Sequence, residues 1–199
     1  MVDIQIDRNA AILVSLIVIA SFIGGLIVAG GKPGSVSFQQ EKLEFSGAVG
    51  KRAPDFSLDS NLGSVNMRDY LGKTVVLFFA EGAMCYPSCW DQMAALAEDP
   101  RLNNEKVISL SVVVDGKKEW DDIIKKVPRM GNAHMIFDTE RKASGAYDVL
   151  SLESSMHRGA YPGHTYFIVD KNGFIRYAFD DPNMGVRNDL LAAEISKIS

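Results

Sequence analysis

Thr74-Val75-Val76-Leu77-Phe78-Phe79-Ala80-Glu81-Gly82-Ala83-Met84-Cys85-Tyr86-Pro87-Ser88-Cys89-Trp90 is the stretch on which the fold turns. Its first six residues are apolar without interruption, β-branched or aromatic, the pattern of a central strand buried on both faces. Pro87 then stands where a helix begins, since proline is tolerated at the first helical position. Met93, Leu96 and Ala97 continue as a helical stripe. Cys85 therefore follows a buried strand and precedes a helix, and Cys89 falls in that helix's first turn. Unpaired N–H groups give a helix N-terminus about half a positive charge, which stabilises a thiolate, the reactive form in both exchange and metal binding. Two cysteines four apart across a helix start come near the separation a disulfide needs. The plainer reading is a pair of buried core thiols, because cysteine is often buried.

Outward from this stretch, strand and helix patterns alternate. Residues 107–114 (Val-Ile-Ser-Leu-Ser-Val-Val-Val) predict a second central strand. Residues 117–127 predict a helix with Trp120, Ile123, Ile124 and Val127 inward, closed by Pro128. Residues 135–137 read as a short strand and 141–149 as a short helix. Residues 165–169 and 174–178 flank Asp170-Lys171-Asn172-Gly173, and Asn-Gly between two such runs signals a hairpin. Leu190, Leu191 and Ile195 mark a last amphipathic helix. Alternating units imply a parallel core sheet with helices on both faces, and the hairpin makes it mixed. Four or five strands fit residues 50–199.

The 199 residues carry 21 Lys plus Arg against 25 Asp plus Glu, a net charge of -4. That excludes a nucleic-acid binder acting by phosphate neutralisation, which needs a basic face. Two cysteines exclude a multi-disulfide framework. Residues 10–29 hold no charge, and as a helix at 1.5 Å per residue they would span about 30 Å, a bilayer's hydrocarbon core. A signal-peptide core is shorter, about 7–15 residues, and follows a basic segment, whereas Asp3, Asp7 and Arg8 precede this run. The expectation is a membrane anchor over 1–31, with lipid as its partner along 10–31, a Ser-, Gly- and Gln-rich tether over 32–49, and a folded domain over 50–199. Arg8 on one side and Lys32 and Lys42 on the other do not decide orientation, because long domains cross largely regardless of flanking charge. A short N-terminal tail with a trailing domain favours a cell-membrane protein with an extracytoplasmic domain.

Three segments carry a resemblance. Gly50-Lys51-Arg52-Ala53-Pro54-Asp55-Phe56-Ser57-Leu58 fits G-x-x-A-P-D-F-x-L. Met67 to Lys73 is similar to L-x-x-x-x-G-K with Met in place of Leu, and Thr165 to Gly173 is similar to T-F-x-I-D-x-x-G with one residue more. With these, residues 50–199 resemble the thioredoxin-fold redoxins: peroxiredoxins of the alkyl hydroperoxide reductase and thiol-specific antioxidant group, and membrane-tethered thiol–disulfide proteins of the TlpA/ResA type. The resemblance implies an α/β, thioredoxin-like mixed sheet and a thiol–disulfide oxidoreductase cycling Cys85 and Cys89. Cys85 would be the nucleophile and Cys89 the resolving thiol, with no cofactor required.

The chain departs from these relatives. Thioredoxin-type proteins use Cys-x-x-Cys, one residue shorter. Peroxiredoxins place Thr or Ser three residues before the peroxidatic cysteine; here Gly82 and Tyr86 hold those positions. Cys-x-x-x-Cys also resembles Sco-type copper proteins, in which two thiolates and a histidine bind copper, a soft ligand set suited to it. His164, next to the position where thioredoxins carry a cis-proline (here displaced to Pro162), would supply the imidazole beside Cys85 and Cys89. Trp90 stands where the Sco pattern has a second proline. Met84, Met156 and Met184 are either soft ligands or core filler. His134 reads as structural, and His157 as a loop residue near the site, with Arg158 in the place of a peroxiredoxin-type arginine. Tyr86 and Trp90 would shape a docking surface or pack the core. Glu81 and Asp91 flank the pair, either tuning the thiols or solvated. A third alternative is a non-catalytic redoxin-fold subunit of a membrane complex.

Overall fold

The apolar run forms β3 (Thr74–Ala80), buried at every position after Thr74 and central in the sheet. The computed structural model describes residues 43–198. They also contain β1 (Ser57–Ser60), β2 (Gly63–Asn66), α1 (Ser88–Glu98), β4 (Val107–Val113), α2 (Lys117–Lys126), β5 (Met135–Phe137), α3 (Lys142–Ala146), β6 (Thr165–Val169), β7 (Ile175–Asp180) and α4 (Asn188–Ser196). The seven strands run in the order β2-β1-β5-β4-β3-β6-β7. β3 pairs parallel with β4 and antiparallel with β6, and β4 pairs parallel with β5.

Successive side chains of a strand point to opposite faces, so a strand covered on both must be apolar throughout. Val76, Phe78 and Ala80 join one core with Met93 and Leu96 of α1, Trp120 of α2 and Leu191 of α4. Val75, Leu77 and Phe79 join the other with Val112, Tyr147 and Phe167. The mixed sheet with helices on both faces is consistent with a thioredoxin-like fold.

The expected four or five strands become seven because the β1–β2 hairpin escapes an apolar pattern. Ser57-Leu58-Asp59-Ser60 pairs with Gly63-Ser64-Val65-Asn66 at the sheet edge, where exposed polar side chains suffice. Val127, expected inside α2, lies beyond it, at φ −130° and ψ 78°, because Pro128 drives its predecessor out of the helical region. α3 is shorter than the expected 141–149. It is fastened by Asp138, whose carboxylate accepts from the backbone N–H of Ala143 at 3.1 Å and Ser144 at 2.7 Å.

Residues 43–49, expected as the end of a tether, instead pack. Leu43 and Ala48 are buried, and the Phe45 ring meets that of Phe167 edge-on at 5.6 Å. Three apolar residues in a polar stretch are enough to seat it. The remainder of the expected tether and the uncharged run at 10–29 lie outside the described residues. Among the described residues, no helix is long and apolar enough to cross a membrane.

Candidate functional site

Both cysteines sit at the C-terminal end of β3. Chain reversal from β3 into α1 brings Cys85 over the helix start, and the Cys89 backbone N–H donates to the Cys85 carbonyl at 3.0 Å. The Cα atoms are 5.4 Å apart and the sulfurs form a disulfide at 1.97 Å. Pro87 stands immediately before α1 rather than as its first residue. The cysteines are buried, but their neighbours are not: Met84 is 53% and Tyr86 70% exposed. The exposed side chains beside the pair are thus those of Met84 and Tyr86. Trp90 lies behind, its ring 5.0 Å from Tyr86 and 5.7 Å from Trp120.

Two carboxylates hold the loop before Cys85. Asp115, beyond β4, accepts from the Ala83 N–H at 2.6 Å, and its burial pushes the carboxyl above its ordinary pKa. A side chain at Gly82 would strike it, a Cβ standing 1.8 Å from Asp115 Oδ2, and the φ of +88° there favours glycine as well. Glu81 is bonded to the segment 155–157. It is buried and accepts from the backbone N–H of Met156 at 2.7 Å and His157 at 3.2 Å, with His157 Nδ1 3.2 Å from its other oxygen.

That contact ties residues 154–157 beside the site, and Gly163 permits the approach. A Cβ at Gly163 would lie 2.0 Å from Ser154 Oγ and 2.4 Å from Ser155 N. The Ser154 hydroxyl accepts from the His164 backbone N–H at 2.7 Å and donates to Asp180. Gly163→Ala is expected to destabilise the fold by about 1–3 kcal/mol, as overpacking does, because two of the clashes, with Ser155 N and Ser154 C, are with backbone that cannot rotate away. Urea denaturation checks this; an unchanged midpoint would show that the loop simply shifts.

His164, fully buried, meets the cysteines across the sheet end, its Nδ1 3.7 Å from Cys89 Sγ. Nε2 lies 2.7 Å from the Tyr166 hydroxyl and 3.2 Å from the Gly185 carbonyl. The ring packs edge-on to Phe78 at 4.6 Å. The loop carrying Gly185 is fastened by Asp181, which accepts from Arg187 Nε at 2.6 Å and from the Gly185 N–H at 3.0 Å.

Other residues singled out in the sequence go elsewhere. His134 bonds Ser60 Oγ at 3.3 Å on the β1 edge, its pKa lowered by burial. Arg158 is exposed and donates to the Glu153 carbonyl at 3.1 Å. Asp91 pairs with Arg129 at the surface. Met156 is 60% exposed, and Met184 packs against the core. Among the described residues, no group of three His, Cys, Asp or Glu is arranged to hold a metal ion. The copper alternative on Cys85, Cys89 and His164 thus loses its support: both sulfurs are engaged with each other, and a single imidazole nitrogen faces one of them. Gln92, Tyr166, Gly185 and the Asp181–Arg187 pair were not singled out from the sequence. Tyr166 was within reach of such reasoning, since residues two apart on a strand share a face and His164 precedes it by two.

Residues 49–178 match the AhpC/TSA family. The mitochondrial peroxiredoxin PRX1 of Saccharomyces cerevisiae is 30% identical over 149 residues, covering 70% of this chain and 57% of that protein. This chain thus spans little more than half of that relative. Peroxiredoxin Bcp of Bacillus subtilis is 30% identical over 133 residues, 63% of this chain and 80% of its own length. The crystal structure of a reduced 2-Cys peroxiredoxin from Plasmodium vivax superposes with a TM-score of 0.66 at 22% identity, across 76% of this chain and 96% of that one. At that identity the likeness speaks for the fold. The expected cell-membrane location with an extracytoplasmic domain is corrected on two grounds: no described helix is long and apolar enough to span a membrane, and the yeast relative is a mitochondrial protein.

Proposed function

The chain belongs to the AhpC/TSA family, and on that premise we propose that it is a thiol–disulfide oxidoreductase in which Cys85 and Cys89 cycle between dithiol and disulfide. The observation that carries this reading is the bonded pair at the start of α1, with Cys85 on the side flanked by exposed Met84 and Tyr86. In the forward direction the Cys85 thiolate attacks a substrate disulfide and expels one substrate thiolate. Cys89 then attacks Cys85 Sγ in the mixed disulfide and expels the second. The helix N-terminus favours the anionic sulfur in both steps. Disulfide exchange fits better than peroxide reduction, because Gly82 and Tyr86 stand where a peroxide-binding Thr or Ser would be needed.

Mass shifts on alkylation across a glutathione redox series test the proposal. The expected result is one reversible two-electron transition, absent in Cys85→Ser and Cys89→Ser. Cys89→Ser should instead accumulate a glutathione adduct at Cys85. A pair that stays reduced in the most oxidising buffer, or bonded in the most reducing one, would exclude exchange as the working role.

A further inference from the structure

We infer that His164 is the proton acceptor for Cys89, its ring held by a chain of amide and hydroxyl groups in the one tautomer that turns a bare nitrogen to that sulfur. The inference rests on the reading of Cys85 and Cys89 as a cycling pair. The chain begins on the far side of α1. Asn188 Nδ2 donates to the Ala95 carbonyl at 2.8 Å and to the Asp99 carboxylate at 3.0 Å, and neither group can donate in return. Asn188 therefore turns its Oδ1 to Gln92 Nε2, 3.0 Å away. Gln92 in consequence aims Oε1 at the Tyr166 hydroxyl, 2.8 Å away, and at the Arg187 backbone N–H, 2.7 Å away. With Oε1 accepting, the Tyr166 O–H donates to it, and the phenolic oxygen is left to accept from His164 Nε2. The Gly185 carbonyl near the same nitrogen is also an acceptor only. Nε2 therefore carries the hydrogen.

In the neutral ring Nδ1 is then the unprotonated nitrogen, and Nδ1 faces Cys89 Sγ. Burial keeps the ring neutral, bringing its pKa down to about 4. The Asp181 carboxylate and the Gly185 carbonyl pull upward, Arg187 pushes down with burial, and Asp180 pulls upward. Cys89 from α1 and Tyr166 from β6 are the other titratable groups against it.

In the mixed disulfide at Cys85, the Cys89 S–H gives its proton to His164 Nδ1 while its electron pair forms the bond to Cys85 Sγ. The bond from Cys85 to the substrate sulfur breaks, and its electron pair departs on that sulfur, which takes the proton from the imidazolium. The substrate disulfide ends reduced to two thiols, and the Cys85–Cys89 pair ends oxidised. Gln92 and Tyr166 are positioning residues that set the tautomer.

Reduced full-length chain mixed with one equivalent of dithiobis(nitrobenzoate) isolates this step. Release of the first thionitrobenzoate forms the mixed disulfide, and release of the second reports attack by Cys89. Between about pH 5 and 9 the wild-type second phase should be nearly level, since the acceptor is neutral throughout. His164→Asn retains an acceptor oxygen that cannot take a proton. Its second phase should be about tenfold slower at neutral pH, since a base with so low a pKa supplies less than a matched one. It should also rise about tenfold per pH unit toward the thiol range, near 8.5, where free thiolate replaces the base. Equal rates and equal profiles in the two proteins would overturn the inference. No second equivalent from the wild type would overturn the cycling pair itself, and the inference with it. Nitrogen-15 spectra of the wild-type ring read the tautomer without any variant: Nε2–H is expected, and Nδ1–H refutes the assignment.

Discussion

Arg187→Met is expected to lower stability by about 3–5 kcal/mol, the cost of leaving a buried charge without its partner. The Asp181 side chain is 1% exposed, and two nitrogens of Arg187 donate to it, Nε at 2.6 Å and Nη2 at 2.8 Å. Burial pushes the Asp181 carboxyl up, but Arg187 and the N–H groups of Gly185 and Asn183 outweigh it and hold the pKa below its ordinary value. A lowered folded pKa contributes stability that is fully present above the unfolded value, about 3.9, and lost as pH falls through the folded one. Without Arg187 the desolvation is opposed only by the backbone donors. The variant's deficit should therefore shrink as pH falls below about 4, where wild type loses the pair too. Urea denaturation at neutral and acid pH measures both effects. Adding Asp181→Asn to Arg187→Met should recover part of the loss, and a deficit independent of pH would show that packing, not charge, is what Arg187 supplies. Because this loop brings the Gly185 carbonyl to His164, the same variant should also slow the second phase of disulfide closure.

Phe78→Ala should cost a further-reaching 3–5 kcal/mol, roughly the usual penalty for emptying a buried phenyl site. Phe78 is fully buried, 4.6 Å from the His164 ring and 4.9 Å from that of Tyr166, against which it stacks. The cavity would open under the two side chains that orient the base for Cys89. Phe79→Ala is the matched comparison: Phe79 is equally buried but faces Tyr147 and Phe167 on the opposite side of the sheet. Both variants should unfold at lower urea with unchanged m-values, yet only Phe78→Ala should retard expulsion of the second thionitrobenzoate. Equal retardation in both would mean that the site responds to overall stability rather than to the packing beneath His164.

What the sequence could show followed from local periodicity. β3 and β4 were legible because burial on both faces requires unbroken apolar runs, and β6 was legible from its β-branched and aromatic residues before a tight turn. α1 and its two cysteines were legible because a proline and a helical stripe follow the strand directly. The β1–β2 hairpin was hidden, since an edge strand need bury little and so carries no apolar signature. The role of Glu81 is hidden from the sequence for a related reason. Its neighbours in sequence are the thiol loop, but its partners, Met156 and His157, lie 75 and 76 residues away.

The amino-acid sequence by itself therefore determined the strand–helix order from β3 onward and the placing of Cys85 and Cys89 about the start of α1. Both depend on residues within a turn or a strand length of one another, whereas His164, 75 residues from Cys89, was placed beside the pair only by the family resemblance. Tertiary structure alone decided what surrounds the cysteines. The route from Asn188 through Gln92 and Tyr166 to His164 crosses α1, α4 and β6, and each hydrogen bond's direction is set by a group far along the chain. A hydrogen-bond donor or acceptor role depends on which partner stands opposite, and no local pattern records that.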